Sequence, residues 1–151
     1  MNQCWRLNCS WYDSHVTTTN TNPTDQQKKT VLVVDDDAAL LESLREVLGK
    51  IYNILGANNG EDALRQSNDF KSEIHALLSD FQMPGMTGIE LATQITVQRP
   101  KIKVLLMSGY PAGMLVLNEG WHFLPKPFIA SQLLALIVGL VSPDKASRFA
   151  A

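Results

Sequence analysis

The stretch VLVVDDDAAL, residues 31–40, decides the fold. Four apolar residues, rich in β-branched side chains, run straight into three aspartates, and a helical pattern begins at once. A continuous apolar run of this length reads as a strand buried on both faces. The helix that follows carries Leu41, Leu44 and Leu48 at helical spacing, with Gly49 as its stop. Three adjacent carboxylates repel one another, so their place at the end of a buried strand calls for a chemical reason.

Outward from this stretch the same rhythm repeats. YNILGA reads as a second strand, and NNGEDALRQSN as a short helix with Glu61 and Asp62 in its first turn. HALLSD is a third strand ending in an acid, FQMPGMTG a Pro/Gly loop, and IELATQITVQ a helix stopped before Pro100. KVLLMSG gives a fourth strand, followed by a short helix over residues 111–118. HFLPKPF contains a fifth strand. ASQLLALIVGLV is a last helix, apolar on more than one side, and Pro143 ends regular structure. Five strands alternating with five helices predict a parallel sheet covered on both faces, a three-layer α/β/α sandwich.

The chain has 151 residues, enough for one domain with a sizeable core. It is 45% hydrophobic and 19% charged, the balance of an ordinary globular protein. A formal net charge of -2 argues against nucleic-acid or membrane-surface binding driven by bulk charge. There is no apolar run of spanning length, and no basic start followed by an apolar stretch, so the expected location is the cytoplasm. Residues 1–29 read as a disordered leader, because VTTTNTNPTDQQKK has almost nothing to bury. Residues 30–141 form the domain and 142–151 a short tail. Trp5, Trp11 and Tyr12 stand out in the leader. Its two cysteines, Cys4 and Cys9, with His15, fit no usual ligand spacing and lack a fourth ligand.

In an open parallel sheet the site lies outside the carboxyl ends of the strands. That rule selects Asp35 and Asp36 after the first strand, Asp80 at the end of the third, Ser108 at the end of the fourth and Lys126 after the fifth. The acids then make a pocket in which a divalent cation offsets their repulsion. Oxygen ligands in an open cleft suit Mg²⁺, which keeps waters and a place for a phosphate. A carboxylate beside that ion can attack an activated phosphoryl group. Lys126 supplies an ammonium and Ser108 a hydroxyl for the phosphoryl oxygens. Each residue alone has an ordinary explanation: an acid can cap a helix, MPGMTG can be only a turn, a lysine is usually solvated and a phenylalanine usually core. Five such coincidences at four strand ends are the argument for a site.

The segments VLVVDDD, LLSDFQMPGMTG, VLLMSGY and FLPKPF together resemble the receiver domain of two-component response regulators, of the chemotaxis-receiver type, over residues 30–141. The resemblance implies a flavodoxin-like fold. It implies Asp80 as phosphoacceptor, Asp36 as direct Mg²⁺ ligand, Asp35 acting mainly through water, and the backbone carbonyl of Gln82 completing the metal shell. It also implies Ser108 as the switch hydroxyl, Phe123 as the switch aromatic, and Lys126 as partner of the acceptor, followed by a cis Lys126–Pro127 bond. Gln82 and Tyr110 fall where the family tunes loss of the phosphoryl group. The implied partners are a histidine kinase or histidine phosphotransfer protein and a downstream protein reached through the fourth helix, fifth strand and fifth helix. The expected state is a monomer or a phosphorylation-dependent dimer, a phosphoacceptor rather than an enzyme. Two alternatives stand beside it. A haloacid-dehalogenase-like phosphohydrolase would need D-x-D-x-[TV] after the first strand, where Ala39 fails the last position. A receiver fragment of a hybrid sensor kinase is the other, since MSGY and FLPKPF also look like such receivers.

Overall fold

The computed structural model describes residues 27–111 and 116–142. The strands are β1 (Thr30–Val34), β2 (Asn53–Ala57), β3 (Ala76–Asp80), β4 (Lys103–Ser108) and β5 (His122–Pro125). The helices are α1 (Ala38–Gly49), α2 (Gly60–Asp69), α3 (Gly88–Gln98) and α4 (Ala130–Val141). All strand pairs are parallel, in the order β2-β1-β3-β4-β5.

The alternation of side chains along each strand splits the interior into two apolar layers. Val31 and Val33 of β1, Leu78 of β3 and Leu105 and Met107 of β4 face α1 and α4, packing on Leu41, Leu44, Leu48, Leu133 and Ile137. Leu32, Val34, Leu77, Val104 and Leu106 face the other way, onto Ala63, Leu91, Ala92 and Ile95 of α2 and α3. Every residue of β1 and β3 is buried, which is why those segments read as unbroken apolar runs. β2 lies at an edge and is graded from exposed Asn53 to buried Ala57.

Local chemistry sets the helix starts. Asp37 caps α1, its carboxylate accepting from the amides of Ala39 and Leu40. Asn59 caps α2 by accepting from the Asp62 amide. Thr87 and Glu90 form a reciprocal capping box at α3. The expected helix over residues 111–118 falls in part outside the described residues. Residues 112–115 lie outside the described residues, and 116–118 carry no helix, so four helices are seen among the described residues rather than five. The expectations for the leader and tail fall almost wholly on residues 1–26 and 143–151, outside the described residues. No described helix is long and apolar enough to cross a membrane.

Candidate phosphoacceptor and metal site

Strand register builds the site. Val34 pairs with Ser79, Asp80 with Met107, and Ser108 with Pro125. The next residue along β1, Asp35, therefore continues the row of Asp80 and Met107, while Ser108 lies one residue and Lys126 two residues further out at the carboxyl rim of the sheet. Backbone bonds fix the row beyond the strands: Asp35 N donates to Ala57 O at 3.2 Å, Phe81 N to Met107 O at 2.8 Å, and Lys126 N to Ser108 O at 2.7 Å. The Lys126–Pro127 bond is cis.

The Lys126 ammonium bridges two carboxylates, 3.2 Å from Asp35 Oδ2 and 3.2 Å from Asp80 Oδ1. Asp35 is fully buried, and its Oδ1 accepts from the Asp37 amide at 2.9 Å. Asp36 is exposed at the mouth. Carboxylate oxygens of Asp35, Asp36 and Asp80 all lie within 4.8 Å of one another. Burial pushes the Asp80 carboxyl above the usual carboxylate value; Lys126 opposes the rise, and Asp35 and Asp36 add to it. Burial works against the charge on Lys126, but the two carboxylates together outweigh it and raise its pKa. Three carboxylates face one ammonium, leaving a local excess of negative charge among the described residues. This all-oxygen donor set, with one acid open to solvent, fits a hard divalent cation such as Mg²⁺.

Ser108 is buried, and its Oγ accepts from the Tyr110 amide at 3.0 Å, leaving the hydroxyl proton free to be donated. Phe123 is half-buried on edge strand β5, on the opposite face from buried Leu124. Gln82 is exposed, and its side-chain amide donates to the Tyr110 hydroxyl at 2.9 Å. The Tyr110 ring meets Phe81 edge-on at 6.3 Å. Together these contacts tie the loop after β3 to the loop after β4 across the pocket mouth.

The β3–α3 loop owes its shape to two glycines. Gly85 has φ 82, a left-handed conformation that other residues resist. A Cβ on Gly88 would sit 2.3 Å from the Asp80 carbonyl oxygen, so only glycine lets α3 start this close to β3.

Sequence reading missed Arg99. Its guanidinium donates to Ser67 Oγ (3.1 Å) and to the carbonyls of Ser67 (2.7 Å), Phe70 (2.6 Å) and Ser72 (2.9 Å), clamping the end of α2. An arginine beside a helix-ending proline carries no local signal of such a role.

A five-stranded parallel sheet with an acidic pocket and a lysine at its carboxyl rim defines a class, the phosphoryl-handling α/β domains. Within it, the family model described as the response regulator receiver domain matches residues 31–138, and the chain belongs to that family. The sensor kinase CckA of Brucella abortus is 32% identical over 104 residues, which cover 66% of this chain and 11% of that protein. The DNA-binding transcriptional regulator NtrC of Escherichia coli is 36% identical over 70 residues, 44% of this chain and 15% of that protein. The chain thus matches only a small part of these relatives' length. A CheY-like receiver domain protein from Methanospirillum hungatei aligns with TM-score 0.69 and 27% identity, over 80% of this chain and 98% of that one. The protein is therefore a receiver domain of two-component signalling, with the flavodoxin-like fold of that family.

Proposed function

We propose that Asp80 accepts a phosphoryl group from a phosphohistidine of a histidine kinase or histidine phosphotransfer protein. One observation carries this reading: the Lys126 ammonium lies 3.2 Å from both Asp80 and Asp35, within a cluster of three carboxylates. An Asp80 carboxylate oxygen attacks phosphorus, the P–N bond breaks with its electron pair going to the imidazole, and an acyl phosphate forms. Asp35, Asp36, Asp80 and the Gln82 carbonyl are the residues to hold Mg²⁺. The ion, when bound, supplies positive charge for the phosphoryl oxygens. Lys126 keeps its charge at neutral pH and neutralises a further oxygen. Ser108 donates its free hydroxyl proton to another, and its movement draws Phe123 inward. The phosphorylated conformation is selected because these contacts favour it, and the downstream protein reads the change at β5 and α4. The Gln82–Tyr110 bridge covers the mouth and slows water attack, lengthening the life of the phosphoryl group.

On this reading the chain is a phosphoacceptor in the cytoplasm, not a turnover enzyme. It acts as a monomer or as a dimer formed on phosphorylation. The similarity to the sensor kinase CckA favours a second arrangement, in which this receiver serves within or beside a hybrid kinase. Acetyl phosphate with Mg²⁺ should give base-labile labelling of the wild type and none of Asp80→Ala. Labelling of Asp80→Ala at the wild-type level would overturn the acceptor assignment.

A further inference from the structure

Helix α4 has an outward face that the site does not use. Leu133, Ile137 and Val141 are buried against the sheet, so Ser131, Ala135 and Gly139 lie on the opposite side. Leu134 and Val138 flank this row on one side, Leu136 and Leu140 on the other, all only partly buried. A Cβ added to Gly139 meets nothing within 4 Å. The helix ASQLLALIVGLV contains no charged residue, and Ile129 just before it is 64% exposed. A helix apolar on nearly all sides is normally covered. Its outward side is a shallow trough with a floor of small residues and walls of leucine and valine, suited to flat aromatic rings.

The chain itself carries such rings. Two of its three tryptophans, Trp5 and Trp11, lie with Tyr12 in the first twelve residues, where Arg6 is the only charged side chain. The point at which that segment meets the domain is fixed. Lys28 donates to the carbonyl of Gly49 at the end of α1, and Lys29 to the carbonyl of Val141 at the end of α4. The leader therefore emerges beside the trough. Fifteen residues, Asp13–Gln27, separate Tyr12 from this anchor. Fifteen residues of random chain span about 20 Å, and twelve helical residues about 18 Å, so the aromatic segment reaches either end of α4. The residues after Ser142 offer one aromatic, Phe149, among Asp144, Lys145 and Arg148, a poorer match to an uncharged trough.

We propose that residues 1–12 dock through Trp5, Trp11 and Tyr12 on the Ser131–Ala135–Gly139 face of α4. In a Trp121→Phe background Trp5 and Trp11 are the remaining tryptophans. Their emission should be blue-shifted relative to a free tryptophan amide and partly protected from iodide. Adding Ala135→Arg and Gly139→Arg, both at open outward positions, should make both indoles fully quenchable while the melting temperature holds. A second measurement stands apart from the folding of that variant. Cys4 and Cys9 are the chain's only cysteines, so Ala135→Cys should form an intramolecular disulfide with one of them under mild oxidation, seen by peptide mass mapping. Three results would overturn the proposal: indoles already fully quenchable before the arginines are added, absence of that crosslink, or a protected emission that vanishes on dilution together with a dimer. The last would give the face to a second copy of the chain.

Discussion

At the scale of single residues, the site trades stability for chemistry. Asp80 is held above the ordinary carboxylate pKa of 3.8, first by burial and then by Asp35 and Asp36, against the pull of Lys126. The folded state therefore binds a proton at Asp80 more tightly than the unfolded chain does. The resulting stability is full below 3.8 and is lost as pH rises through the folded pKa. At neutral pH the ionised Asp80 carboxylate is a net cost. Asp80→Asn, which copies the neutral form, should raise the melting temperature at pH 7 without divalent cation by roughly a few degrees, with the gain shrinking towards pH 4. A lower melting temperature for Asp80→Asn would mean that the Lys126 pairing outweighs burial. Lys126 has the same sign of shift but a different window. Its pKa is raised above 10.5, so its contribution is complete at neutral pH and is lost only in strong alkali. Lys126→Ala leaves buried Asp35 without its cation. It should cost about 2 kcal/mol in urea unfolding, less than a fully enclosed pair because the ammonium is 26% exposed.

At the scale of elements, the strands and helices were legible because their causes are local. VLVV and ALLS are apolar runs because β1 and β3 are covered on both faces, and Leu41, Leu44 and Leu48 mark the inward face of α1 because helical spacing admits little else. Of the three adjacent acids, Asp37 is the one that caps α1. Asp37→Ala should cost about 1 kcal/mol in thermal or denaturant unfolding, with labelling at Asp80 still present. The segment 111–118 bears on this only at its ends, where Pro111 and residues 116–118 carry no helix; the rest lies outside the described residues. The site was legible for the opposite reason to the strands: a topological rule places residues 44, 28 and 18 positions apart at one rim without any contact being known. Arg99 was not legible, because three of its four bonds go to backbone carbonyls of residues 67–72, which have no side-chain signature, and the fourth goes to a serine 32 positions away. Its four hydrogen bonds satisfy the end of α2, so Arg99→Ala should lower stability by about 2 kcal/mol. The same change should speed amide exchange at residues 67–72 before it affects β1 or β3, a pattern that separates a local clamp from a general loss of packing.

At the scale of the whole molecule, β1, β3 and β5 bring three acids and one lysine together, so the charge imbalance is a property of the fold rather than of any segment. A ligand that binds the folded pocket and not the unfolded chain stabilises by mass action, about 2.7 kcal/mol at one hundred times its Kd. Mg²⁺ should therefore raise the melting temperature in a saturable way, where an equal ionic strength of NaCl does not. Asp36→Ala should weaken the response without unfolding the protein, since Asp36 is exposed and is not held by Lys126. The response should also fade as pH falls through the raised pKa of Asp80, because a protonated carboxyl is a poor ligand. In Asp80→Asn the baseline rises while the Mg²⁺ increment falls. That opposite movement follows only if the acid that destabilises the empty pocket is also one that holds the ion. A Mg²⁺ increment left intact in Asp80→Asn would place the ion away from Asp80.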